Sequence, residues 1–132
     1  MINLSENSYS SSFLPIEQVH VDAARDAAFV GGEEVDVITL DSLELPDAPT
    51  MLKMDVQAFE PFVIRGGGRL LRRIALVESE MCLVPLYTGQ DLAPAVCAQL
   101  RDLGFYPVAL DAAFSDPDSG ELLAIDGIFA SR

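Results

Sequence analysis

The sequence predicts an α/β fold with a mostly parallel sheet and one reversed strand near its edge. Two short apolar runs, residues 51–56 and 74–81, are each followed by a helix signal, which is the strand–helix alternation of an α/β sheet. Two further apolar runs, residues 105–110 and 122–130, are joined by Asp116-Pro117-Asp118-Ser119-Gly120. Every residue of that connection favours a turn, so the last two strands are expected to pair antiparallel.

The elements follow in order. Residues 1–20 begin as a short strand and pass into a serine-rich loop, Ser8-Tyr9-Ser10-Ser11-Ser12. Residues 33–40 alternate apolar and polar and predict a strand. Asp41 is placed to cap a short helical turn, which Pro46 and Pro49 close. Residues 51–56 predict a strand, and Glu60-Pro61 opens a helix with proline at its first position and an acid at its positive end. Gly66-Gly67-Gly68 breaks that helix before a second turn at residues 69–73. The glycine run follows a helix and lacks a Gly-Lys-Ser/Thr ending, so it reads as a structural break and not as a phosphate loop. Residues 74–81 predict the next strand, with Glu78 and Glu80 on one face. Leu92, Val96, Leu100 and Leu103 form the stripe of an amphipathic helix that Gly104 terminates.

Composition narrows the function. A chain of 132 residues, half of them apolar, can bury one ordinary core, so one domain is expected. Its net charge of −13 repels phosphate backbones and anionic lipid, which argues against nucleic-acid and membrane partners. Arg65, Arg69, Arg72 and Arg73 are spaced as a solvated helical face. No run is long and apolar enough to span a bilayer, and the start lacks a basic-then-apolar signal, so a soluble cytoplasmic protein is expected. Cys82 and Cys97 have no Cys-x-x-Cys spacing and His20 is the sole histidine, so no metal site is expected.

Residues 52–60, Leu-Lys-Met-Asp-Val-Gln-Ala-Phe-Glu, resemble the signature of the FkbM-type methyltransferase family, Lys-Ile-Asp-Val-Glu/Gln-Gly-aromatic-Glu. Further matches follow the family's order: Asn7 with Ser10 to Ser12, a strand ending Thr39-Leu40-Asp41, Val63 to Gly66, a strand ending in Glu, and Gly104-Phe105. The resemblance implies a class I (Rossmann-like) methyltransferase sheet and S-adenosylmethionine as methyl donor. It implies transfer to a hydroxyl of a sugar or other small molecule. Nothing in the sequence resembles the family's glycine-rich first strand-to-helix turn, or the acid that would hold the cofactor ribose. Residues 1–132 are therefore expected to be a single partial domain, the C-terminal portion, lacking the N-terminal cofactor-binding strands. The competing class is a truncated, non-catalytic remnant serving as an interaction module.

Site candidates follow from position and resemblance together. Ligands in open α/β sheets bind outside the carboxyl ends of the strands. Asp55, at such an end, is the first candidate for catalysis and for cofactor contact. Glu78 and Glu80 are expected to converge with it, and carboxylates that close imply a raised pKa or a cationic or hydroxyl partner. Glu60 is expected either to stabilise its helix dipole or to touch substrate. Asn7, Ser10, Ser11 and Ser12 are candidates to hydrogen-bond a polar acceptor, and His20, in a loop, is a further general-base candidate. Ala58 stands where the family has glycine; at positive φ it would cost about 1 kcal/mol. Without neighbouring strands, residues 51–56 would form an exposed apolar edge, so self-association is expected.

Overall fold

In a computed structural model describing residues 1–132, the chain forms two sheets and three α-helices. Strands β1 (Ile2–Ser5) and β2 (Phe29–Glu33) make a small antiparallel sheet, with Ile2 opposite Glu33. Helix α1 (Gln18–Ala23) lies between them in sequence. The main sheet contains β3 (Met51–Met54), β4 (Leu76–Cys82), β5 (Phe105–Ser115) and β6 (Leu122–Ser131), in the spatial order β3-β4-β6-β5. Helix α2 (Glu60–Arg65) follows β3, and α3 (Ala93–Asp102) follows β4.

β3 pairs with β4 in parallel, whereas β6 is antiparallel to both of its neighbours, β4 and β5. Strands β3, β4 and β5 thus share one direction and β6 alone is reversed, one place in from the edge. The expected mixed α/β sheet is present. Only one of its hydrogen-bonded pairs is parallel, because β6 separates β5 from β4.

One region departs from the expectation. Residues 34–39 form no strand; the paired strand lies earlier, at Phe29–Glu33, and a 3-10 turn at Leu40–Ser42 follows. The ladder stops at Glu33 because its partner Ile2 is the first residue of β1. Alternation alone forms no strand without a neighbour to accept its hydrogen bonds, and Val37 and Ile38 stay exposed. Asp41 does cap a helical turn, but a distant one: its carboxylate accepts from the backbone N–H groups of Arg69 (3.0 Å) and Leu70 (2.7 Å). These bonds, the Leu70 one foremost, hold its pKa below the usual carboxylate value.

The larger core lies under one face of the main sheet. Val77 and Met81 of β4 and Phe129 of β6 pack with Ile64 of α2 and with Ala93, Val96 and Leu100 of α3. The i, i+4 positions Val96 and Leu100 are both fully buried, as the predicted stripe requires. Gly104 ends the segment at φ +92, a conformation that glycine adopts without Cβ strain. Gly127 serves close approach instead. A Cβ there would lie 2.6 Å from Met81 Cε and 2.7 Å from Phe129 Cε2. Gly127→Ala is expected to cost about 1–3 kcal/mol through overpacking, read as a lower urea midpoint.

A second cluster, including Ala58, Cys82, Leu86, Tyr87, Leu123 and Ala124, joins the N-terminal segment to the carboxyl end of β4. β3 occupies the edge of the sheet, so its outer backbone groups have no strand partner. No helix is long and apolar enough to cross a membrane.

Candidate functional site

The β3–α2 connection sets the geometry of the site. Met54 pairs with Ser79, so Asp55, one residue on, comes level with Glu80 at the carboxyl ends of two parallel strands. The chain then turns sharply, with Gln57 at φ 49 and Ala58 at φ 72. Both are non-glycine residues in the left-handed region, which costs on the order of 1–2 kcal/mol per residue. Such strain persists only where the surroundings hold it. Here Ser12 Oγ donates to the Gln57 carbonyl at 2.6 Å, and Val56 N–H donates to Glu60 Oε1 at 3.1 Å.

This turn aims the Gln57 side chain at the acids. Its Nε2 donates to Asp55 Oδ1 at 2.7 Å and to Glu80 Oε2 at 3.2 Å, bridging the two carboxylates. The Tyr87 hydroxyl lies 2.8 Å from Gln57 Oε1 and 2.9 Å from the Ser10 carbonyl, with its single proton available to either acceptor. Burial raises the Tyr87 pKa and keeps the phenol protonated. Tyr87→Phe removes that proton from a buried network and leaves a carbonyl unpaired. The expected cost is about 1–3 kcal/mol, measured by chemical denaturation.

Two carboxyl groups here titrate near neutrality. Glu80 is pushed up to about 7, first by burial and then by the charges of Asp55, Asp126 and Glu60. Glu60 is also pushed up to about 7, again chiefly by burial, with its bond from Val56 N–H opposing. It is 5% exposed, so its part in the structure is to tie down the strained turn as well as to start a helix. Asp55 is exposed, which leaves it the carboxylate most open to solvent in this group.

Glu78 takes a separate path. It lies on the same face as Glu80, but its Oε1 forms an ion pair with Lys53 Nζ at 2.6 Å. That bond is the main reason the lysine pKa is raised. The N-terminal candidates also resolve into distinct parts. Asn7 Oδ1 accepts from Ser10 N–H at 3.0 Å, and Ser11 Oγ accepts from Ser5 N–H at 3.1 Å, so both shape their own loop. Ser12 and the Ser10 carbonyl reach Gln57 and Tyr87 and tie that loop to the acid pair. His20 sits in α1 and not in a loop. It is buried edge-on against Tyr87 at 5.2 Å, and burial lowers its pKa.

Gln57 and Tyr87 belong to the hydrogen-bond network of the candidate site, and sequence reasoning missed both. Gln57 stands inside the nine-residue signature, but an amide carries no charge to mark it. Tyr87 reaches the site only through the packing of the N-terminal segment. No group of three or more His, Cys, Asp and Glu side chains is arranged to hold a metal ion.

A parallel strand pair with acids at its carboxyl ends, followed by a helix on one face, defines an α/β protein with a cluster of carboxylates at the β3–α2 and β4 connections. Residues 2–107 of the chain match the model of the methyltransferase FkbM domain, a span that contains every site residue above. The chain belongs to the FkbM methyltransferase family. No curated protein and no solved structure gives a significant match.

Proposed function

We propose that this chain is the C-terminal portion of an S-adenosylmethionine-dependent O-methyltransferase domain, and that it contributes the wall of the active site that handles the acceptor hydroxyl. The acceptor would be a small molecule or a sugar. The observation that carries this reading is the Asp55–Gln57–Glu80 bridge at the carboxyl ends of β3 and β4. An exposed carboxylate beside a carboxyl group titrating near 7 suits removal of a proton from a hydroxyl at neutral pH.

The chain's own residues would divide the work. Asp55 accepts the hydrogen bond of the acceptor hydroxyl and orients its oxygen. Glu80 or Asp55 takes the proton as the oxygen becomes nucleophilic. Gln57, anchored by Ser12 and Tyr87, fixes the separation of the two acids. Glu78, neutralised by Lys53, lines the acceptor side.

S-adenosylmethionine supplies the methyl group in this reading, but these residues do not enclose it. Clefts of about 400 and 420 Å³ open beside Arg69 and Arg73 and beside Met1, and neither includes Asp55, Gln57 or Glu80. The site faces the open edge of β3, where further strands would have to complete it. A second reading, a non-catalytic remnant acting as an interaction module, is favoured by one observation. Ala58 takes positive φ where the family has glycine, so the turn is built at a cost.

Calorimetric titration tests the proposal. S-adenosylmethionine is expected to bind the chain alone more weakly than about 1 mM. Fusion to a glycine-rich N-terminal half-domain from an FkbM-family member is expected to bring binding into the micromolar range and to permit turnover. Absence of binding by the fused domain would reject the catalytic reading in favour of the remnant.

A further inference from the structure

A cleft of about 180 Å³ opens between the side of α2 and the loop that enters α3. One wall is Ala58, Pro61, Phe62 and Arg65, and the segment Gly89–Asp91 faces it. Both walls belong to this chain. Helix α2 links β3 to β4 and the facing loop links β4 to α3, so the cleft lies between two crossover connections and not along the open edge of β3. Its volume is below that of a site for a whole drug-sized ligand, so it takes one end of a molecule.

The α2 wall holds an arginine in a fixed orientation. Phe13, Phe59 and Phe62 form a column with successive ring centroids 4.8 and 4.1 Å apart, and the rings of Phe59 and Phe62 lie within 7° of parallel. The Arg65 guanidinium caps that column, its Cζ 4.3 Å from the Phe62 centroid. Cation–π attraction holds the guanidinium by its face and leaves its N–H edge free. No carboxylate takes that edge, since the chain's single ion pair is Lys53 with Glu78. On the facing wall Gly89 contributes no side chain, and a Cβ there would meet no atom within 4 Å. Gln90 fixes this loop: its Oε1 accepts from the backbone N–H groups of Leu86 at 2.8 Å and Tyr87 at 2.6 Å. An oriented guanidinium edge, an apolar flank and an open facing loop together suit a flat anion with an apolar body.

We infer that this cleft binds the carboxylate end of a compact organic acid, with Arg65 as its bidentate partner and with Pro61 and Phe62 against its apolar body. A monoanion fits better than phosphate, because one arginine balances one charge and Asp91, on the facing wall, repels a second. Asp91 is itself engaged, accepting from Gln99 Nε2 at 2.8 Å. The role of the cleft rests on the function proposed above. Helix α2 starts at the carboxyl end of β3, the end that carries Asp55, so the acid bound here is the anchoring, non-reacting end of the acceptor. Binding energy gained at such a remote group serves to orient the reacting hydroxyl.

The test is the binding of sodium benzoate to the chain alone, followed by amide NMR, with benzamide and inorganic phosphate as comparison probes. It requires neither cofactor nor methyl transfer. Benzoate is expected to shift the amides of α2 and of Gly89–Asp91 saturably, with a Kd of about 1–10 mM, and the two comparison probes to bind at least about fivefold more weakly. Arg65→Gln is expected to weaken benzoate at least about fivefold and to abolish its advantage over benzamide, and Arg65→Lys, which keeps the charge and loses the planar fork, to fall between. The same spectra establish that each variant is folded. Arg72→Gln, outside the cleft, is expected to leave benzoate binding unchanged. Absence of saturable shifts at these residues would overturn the inference, as would equal binding of benzamide or tighter binding of phosphate. Equal weakening by Arg72→Gln and Arg65→Gln, the mark of diffuse charge attraction, would also reject it. The proposed function fails by a different measurement: a fused domain that does not bind S-adenosylmethionine removes the acceptor role and leaves the benzoate result standing.

Discussion

The chain is expected to be more stable at pH 5 than at pH 8, with most of the difference set by Glu60 and Glu80. Both are pushed up to about 7, above the ordinary 4.5. A carboxyl group with a raised pKa in the folded state holds a proton that the unfolded chain releases. Its contribution is fully present below about pH 4.5 and is lost as pH rises through about 7. Each pH unit in that window corresponds to about 1.4 kcal/mol per group, so the loss for well-buried Glu60 is on the order of 3 kcal/mol. His20 opposes the trend, because burial lowers its pKa and its protonation at acid pH favours unfolding. One imidazole stands against two carboxyl groups, and the net charge of −13 adds self-repulsion at high pH. Urea unfolding at pH 5 and pH 8 reads the difference. Glu60→Gln is expected to flatten the profile; an unchanged slope in that variant would place the effect elsewhere.

The second large effect concerns chemistry. In the fused domain described above, Asp55→Asn is expected to lower kcat about 10²–10⁴-fold while leaving S-adenosylmethionine affinity within a few-fold, since asparagine keeps the size but not the basicity of the group. Glu80→Gln is expected to shift the acid limb of the pH–rate profile, because its carboxyl titrates near 7. If Asp55→Asn turns over at the original rate, Asp55 has no part in proton removal. If Gln57→Ala lowers kcat without moving that limb, Gln57 acts by positioning.

The legible parts of the sequence are those whose signals are local. The α3 stripe, the Pro61 helix start, the Gly104 stop and the Asp116–Gly120 turn all depend on neighbours within a few residues, and each stands where its chemistry places it. Short elements fixed by distant contacts are not legible. Helix α1 has six residues and no side-chain cap, and it exists because His20 and Ala23 are buried. β2 includes Gly31 and Gly32 and shows little strand alternation, yet β1 supplies its partner. The same division holds in the site. Asp55 and Glu80 are visible as acids at strand ends. Gln57 becomes a bridge only through a left-handed backbone, and Glu78 is withdrawn by a lysine from another strand.

The reversed position of β6 has a consequence for synthesis on the ribosome. β4 is the central strand that links β3 to the rest of the sheet, yet one of its two edges is filled only by β6, with Leu76 opposite Ala130. At ~5–20 residues per second, β4 would wait several seconds after its own synthesis for that partner to be made. Until then the emerging chain exposes Val77 and Met81 without Phe129 to close over them. The main sheet therefore closes only once β6 has emerged, and loss of that strand alone would leave a nascent chain with an open, aggregation-prone edge.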